Sequence, residues 1–154
     1  MTVEPSNQLI GYWVQAMQAC EPFARMDKSH LHALAACGQE RYAAPGALIL
    51  GPDLGVPQEL CWIRQGAVIG YPQGMEDQPF ELEAGSLWPV AALLAERPVR
   101  TRYVARDDCF YFCFEWTRVQ QLMARSTALA DHLRELGLSL LQASARQLRL
   151  QLQA

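Results

Sequence analysis

From Glu40 onward the chain is cut into short apolar or alternating runs, and this feature constrains the fold more than any other. The runs are Tyr42–Ala44, Ala47–Leu50, Leu60–Ile63, Ala67–Tyr71 and Phe80–Glu83. Pro45–Gly46, Gly51–Pro52–Asp53, Gln65–Gly66 and Gly74 divide them. Thr101 to Phe114 adds two more strands, turned at Arg106–Asp107–Asp108. Many short strands at close spacing, with turn residues between them, read as a sandwich or barrel.

Helical periodicity flanks this region on both sides. Gln8 to Ala19 opens a stripe of Leu9, Ile10, Trp13, Met17 and Cys20, which Glu21–Pro22 interrupts. Phe23–Met26 is a short helical piece, and Asp27 or Ser29 caps a helix through Leu31, Leu34 and Ala35 that Gly38 stops. Glu115 to Ala124 forms another helix, and Ser126 or Thr127 caps a last long one. In it Leu129, Leu133, Leu136, Leu140, Ala143, Gln147 and Leu150 make a heptad seam, beside a second stripe of Leu138, Leu141, Ala145, Leu148 and Leu152. The expected organisation is a helical segment 1–39, a barrel 40–114 and closing helices 115–154, all one domain.

With 154 residues, 51% of them hydrophobic, the chain can bury one real core. A net charge of −3 disfavours a nucleic-acid-binding face. No apolar run approaches the roughly 20 residues of a membrane span. The N-terminus has no basic head or apolar core, so a cytoplasmic location is expected. Five cysteines occur without a Cys-x-x-Cys pair and read as buried reduced thiols. His30, His32 and His132 lie in expected helices with no second histidine at metal spacing, so neither a metal nor a barrel metalloenzyme is expected. No Ser/His/Asp or nucleophile-elbow pattern appears, and Glu81-x-Glu83 reads as a solvated strand face. The chain is therefore not expected to be an enzyme.

The stretch from Gly85 to Cys109 carries the functional signal. A glycine turn leads into a short apolar helical turn, a Pro-punctuated loop, and an Arg–Thr pair entering a strand. Free N–H groups at a helix N-terminus, faced by an arginine, make an anion cradle. Arg97, Arg100, Arg102 and Arg106 form either a phosphate claw or the solvent-facing charges of a strand edge. Trp88 and Tyr103 read more readily as core than as a base-stacking pair.

This layout resembles the phosphate-binding cassette of cyclic-nucleotide-binding domains. The resemblance extends from Phe23 to Leu141, through Phe23, Leu31 and Leu34, through Tyr42-Ala43-Ala44-Pro45-Gly46-Ala47-Leu48-Ile49, and through Leu60-Cys61-Trp62-Ile63-Arg64-Gln65-Gly66-Ala67-Val68. It implies a mainly β fold: a cyclic-nucleotide-binding jelly-roll β-barrel of about eight strands, with N-terminal helices and two C-terminal helices. Within that family the cassette Trp88-Pro89-Val90-Ala91-Ala92-Leu93-Leu94-Ala95-Glu96-Arg97-Pro98-Val99 looks like those heading bacterial proteins with CBS modules and a putative nucleotidyltransferase domain.

The resemblance implies a ligand site made by the backbone N–H groups of Ala91 and Ala92, the side chains of Arg100 and Thr101, and apolar walls from Val90 and Tyr103. Its ligand would be a cyclic nucleotide or another phosphorylated nucleotide, with no other cofactor. Two positions depart from the family pattern. Pro89-Val90-Ala91 stands where the family has Gly-Glu-Leu, so nothing at Val90 accepts a bond from a ribose 2′-hydroxyl. The family's phosphate-pairing arginine lies six positions before the residue equivalent to Ala105, which here is Val99, with Arg100 one step late. In a regular strand that step turns Arg100 to the other face, and a bulge or shortened loop would restore it.

The leading expectation is a ligand-sensing regulatory domain with a degenerate cassette. The alternative is a dimerisation module whose pocket has closed. The long last helix is expected to form a parallel homodimer with Leu136, Leu140 and Ala143 near the axis. Only thirteen residues follow Leu141, with no helix-ending signal among them. That leads to the further expectation of a fragment of a longer protein that carries the effector.

Overall fold

β8 (Cys109–Glu115, C-F-Y-F-C-F-E) is apolar on both faces, and the fold is arranged about it. In this computed structural model, which describes residues 7–138, Cys109, Tyr111 and Cys113 turn to one side while Phe112 and Phe114 turn to the other. A strand with side chains of this kind on both faces needs a layer on each. One layer is a second sheet and the other is a set of helices.

The sheet that holds β8 has four strands in the order β1 (Gly38–Ala43), β8, β3 (Glu59–Gln65), β6 (Leu87–Trp88). The facing sheet runs β2 (Leu48–Leu50), β7 (Thr101–Ala105), β4 (Val68–Pro72), β5 (Phe80–Leu82). Every pairing is antiparallel. The eight strands form the expected jelly-roll layers, although no pairing joins the two sheets among the described residues, so they make an open sandwich instead of a closed cylinder. Between them lie Cys61, Ile63, Val68, Trp88, Ala105 and Tyr111 with their neighbours. The turn before β4 depends on Gly66, at φ +90°, where a Cβ would run into the Asp108 carbonyl. Asp107 ties the same corner by accepting from the Ala67 N–H at 3.0 Å.

The helical layer covers the other face of β8 and β3. It comprises α1 (Asn7–Met17), α2 (Lys28–Ala36), α4 (Trp116–Met123) and a last helix, α5, described over 127–138. Trp13 meets Phe112 edge-on at 5.0 Å, and Phe23 meets Trp62 at 5.6 Å. α2 ends at Ala36, and Gly38 begins β1 instead of capping the helix. Asp27 occupies the N-cap position of α2 without a side-chain bond. Ser126 does cap α5, its Oγ accepting from the Leu129 N–H at 3.4 Å.

The described start of the α5 heptad seam is buried within the chain. Leu129 and Leu133 are fully buried in the helical layer, and Leu136 packs against the same cluster. Leu136, expected beside a dimer axis, thus packs at least partly against its own domain. Leu138, from the second stripe, is 58% exposed. Leu140, Ala143 and the rest of both stripes lie outside the described residues. No helix of the described residues is long and apolar enough to cross a membrane.

Candidate functional site

α3 (Val90–Ala95) forms where the cassette helix was expected. Its first intrahelical bond runs from the Leu93 N–H to the Pro89 carbonyl at 3.0 Å. A helix that starts this way leaves its earliest N–H groups, here at Val90, Ala91 and Ala92, without an intrahelical acceptor. Glu96 closes the helix in the left-handed region (φ 53°), with the Arg97 N–H on the Ala92 carbonyl at 3.1 Å. The side chains of Ala91 and Ala92 are half-buried.

Val90 and Leu93 are each 1% exposed and belong to the helical cluster. The Val90 side chain thus anchors α3 to the helical layer. A helix held against two layers must commit one face to each, and the apolar face of α3 goes to the larger layer. α5 reaches α3 as well: a Cβ at Gly137 would lie 2.7 Å from Leu94 Cδ1.

β7 follows the cassette loop. Its pairing with β4 runs unbroken from Val68↔Ala105 to Pro72↔Thr101, and the bulge in this sheet falls on β2, between Leu48 and Leu50. β7 therefore alternates regularly. Tyr103 and Ala105 face the space between the sheets, and Thr101 shares their side. Arg102 lies on the outer side, its guanidinium carbon 4.7 Å from the Tyr71 ring centroid. Arg106 is held by Glu81 and, at 2.9 Å, by Asp107. Arg100 is exposed just ahead of β7, its carbonyl accepting from the Gln73 N–H at 2.9 Å, while Val99 is 5% exposed. No bulge in β7 turns Arg100 inward.

Four rings run in file from Phe80, 39% exposed at the mouth, across to the other sheet. Phe80 and Tyr103 have centroids 6.1 Å apart, Tyr103 and Trp88 6.3 Å, and Trp88 and Tyr111 6.0 Å. Burial pushes the Tyr103 phenol up from its ordinary range, and a side-chain hydrogen bond with Thr101 partly offsets this. Burial, and then the neighbouring cysteines Cys113 and Cys61, push Tyr111 up to about 12. Trp88 Nε1 is buried without an acceptor among the described residues, as are Trp62 Nε1 and Trp116 Nε1. The sequence reading had Trp88 and Tyr103 as core. It missed Phe80 and Tyr111 as their neighbours, because alternation assigns faces and leaves pairing across sheets open.

No protein-family model and no curated protein matches the sequence. Solved structures do match. The regulatory domain of Toxoplasma gondii PKA, crystallised with cAMP, superposes with a TM-score of 0.72 at 17% identity, over 83% of this chain and 49% of that one. This chain has the fold of the cyclic-nucleotide-binding domains. The Thermus thermophilus catabolite activator protein gives 0.65 at 24% identity, over 77% of this chain and 56% of that one. The sensor domain of the transcriptional regulator DNR from Pseudomonas aeruginosa gives 0.67 at 17% identity, over 86% and 91%. The chain thus spans about half the length of the first two structures and nearly all of the third. All three are regulatory or sensor proteins by name.

Proposed function

We propose that this chain is a ligand-sensing regulatory domain that takes a phosphorylated nucleotide weakly, between α3 and the inner side of β7. The backbone N–H groups of Ala91 and Ala92 would meet the phosphate, with the Thr101 hydroxyl beside them and Tyr103 as the apolar wall. The observation that carries this reading is the pair Val90 and Val99. Both are buried valines at the positions where the resembled family has its ribose-accepting carboxylate and its phosphate-pairing arginine, and Arg100 stays outside. Each lost bond to a charged group costs roughly 1.5–3 kcal/mol, or one to two orders of magnitude in affinity. The cradle is kept and the tight grip is not.

Its output would pass through α5, which touches α3 at Gly137, to an effector in a longer protein. CBS and nucleotidyltransferase modules are what the cassette resemblance implies for that effector.

Titration with cyclic AMP, cyclic GMP and non-cyclic nucleotide phosphates, followed by thermal shift, tests the proposal. A ligand that binds only the folded chain raises its melting temperature. A rise with at least one of them at millimolar concentration is expected. One observation favours a second reading, a dimerisation module with a closed pocket: the file from Phe80 to Tyr111 already occupies the space between the sheets. No shift with any nucleotide, together with a dimeric mass in solution, would establish that alternative.

A further inference from the structure

The five cysteines are free thiols, yet β3 and β8 bring two of them together. Cys61 and Cys113 stand directly opposite each other in the antiparallel register, with Sγ atoms 3.4 Å apart. Residues paired this way have Cα atoms about 4.5 or 5.5 Å apart. Both separations fall inside the roughly 4.4–6.8 Å that a disulfide spans. Cys109 is four residues back along β8 from Cys113, about 13 Å at the rise of a strand, and does not compete.

The two sulfurs have different surroundings. Arg41 of β1 donates from Nη1 to Cys113 Sγ at 3.3 Å, and its two terminal nitrogens hold Glu59 at 2.8 Å each. The Arg41 contact fixes a donor on the Cys113 sulfur; the reacting form of any cysteine is the thiolate. The hydrogen bond with Cys113, and then burial, hold the Cys61 thiol well above its ordinary range, so Cys61 keeps its proton. Cys113 is 2% exposed and Cys61 8%, while the side chains of Arg41 and Glu59 beside them are 38% and 37% exposed. With both sulfurs this buried, only a small oxidant can reach them.

We propose that Cys61 and Cys113 are a redox-sensitive dithiol that hydrogen peroxide converts to a disulfide. The Cys113 thiolate attacks one peroxide oxygen, the O–O bond breaks, and hydroxide leaves and takes up the proton that Cys113 released. The Cys61 sulfur then attacks the sulfenic sulfur, the S–O bond breaks, and the hydroxyl departs with the Cys61 proton. Two thiols lose two electrons, and one peroxide becomes two waters. The bond forms beside the cassette, because the other lateral neighbour of Cys61 is Trp88, two residues ahead of α3.

The test is oxidation of the folded chain with stoichiometric hydrogen peroxide, then alkylation and non-reducing peptide mass spectrometry. The expected product is a Cys61–Cys113 linked peptide, lighter by two hydrogens and reversed by dithiothreitol. In Cys61→Ser a cyclic diketone probe, added as the oxidised chain is unfolded in urea, should trap a sulfenic acid at Cys113, and Arg41→Met should slow linkage about tenfold. An Arg41→Met rate equal to wild type would overturn Cys113 as the attacking sulfur. Oxidation confined to the less buried Cys20 and Cys37, or linkage no faster in the folded chain than in urea, would overturn the pair itself. These last two readings use the wild-type chain and depend on no variant's folding.

Discussion

The ring of Phe80 lies across Gly70, filling the space where any Cβ at that position would stand. The two residues are register partners in β5 and β4, and this approach lets Phe80 reach Tyr103 and start the file of rings between the sheets. Gly70→Val must swing the Phe80 ring outward, and overpacking of this sort costs about 1–3 kcal/mol. Urea unfolding should show that loss. The same variant widens the mouth of the sandwich at Tyr103, so any nucleotide-induced thermal shift should change with it.

Ser126 is the one buried polar residue among the described residues and caps α5 through the Leu129 N–H. Ser126→Ala leaves that donor without a side-chain acceptor and should cost about 1 kcal/mol. Denaturant midpoints measure it directly. An unchanged midpoint would mean that the 3.4 Å contact contributes nothing to stability.

The strands were legible because turn chemistry marks them. Gly66 must be glycine to pass the Asp108 carbonyl, and Arg106–Asp107–Asp108 sits between β7 and β8 where the turn was expected. The two-residue strand β6 was not legible, since Leu87 and Trp88 are too few to show alternation. Other features were left open for a physical reason. Periodicity reveals that an apolar stripe exists and is silent on what covers it. The α5 stripe therefore read as an interface, and its first residues, Leu129 and Leu133, pack within the domain. Spacing likewise could not say which of two layers a six-residue helix would join, and Val90 packs with the helical one.

Stability should fall above about pH 9, in part through two groups between the sheets. Burial, and then Asp107, push the Cys109 thiol up to about 11. Burial is also the largest cause of the rise of Tyr111 to about 12. Both values lie above the unfolded ones, so in this range the folded chain binds more protons than the unfolded chain, and stability decreases as pH rises. Their contribution is complete below the unfolded values, near 9 for the thiol and 10 for the phenol, and is lost as pH climbs through 11 and 12. Urea unfolding between pH 8 and 11 should show the decline, and Tyr111→Phe with Cys109→Ala should make it shallower. The remainder comes from Cys61, raised by its hydrogen bond with Cys113 and by burial, and from Tyr103, raised by burial. A wild-type profile already flat over that range would contradict the assignment.

Val90 and Val99 should respond oppositely when each is changed to the residue that the resembled family carries. Val90 is locked in the helical cluster against Leu93, Leu129 and their neighbours. A carboxylate there has no partner, and burying an unpaired charge costs several kcal/mol or shifts its pKa, so Val90→Glu should lose about 3 kcal/mol or more and gain no ligand affinity. Val99 sits in the loop that leads from α3 to Thr101, buried yet outside the helical cluster. Val99→Arg should weaken the ligand-free fold, because the guanidinium has no counter-charge. With a cyclic nucleotide it supplies the missing phosphate partner, and a charged hydrogen bond of roughly 1.5–3 kcal/mol should raise affinity by at least about tenfold. Calorimetric titration of both variants against wild type measures the two effects separately. Equal affinity in Val99→Arg and wild type would remove the cassette loop from the binding site, and the reading of a weakened nucleotide cradle would fail with it.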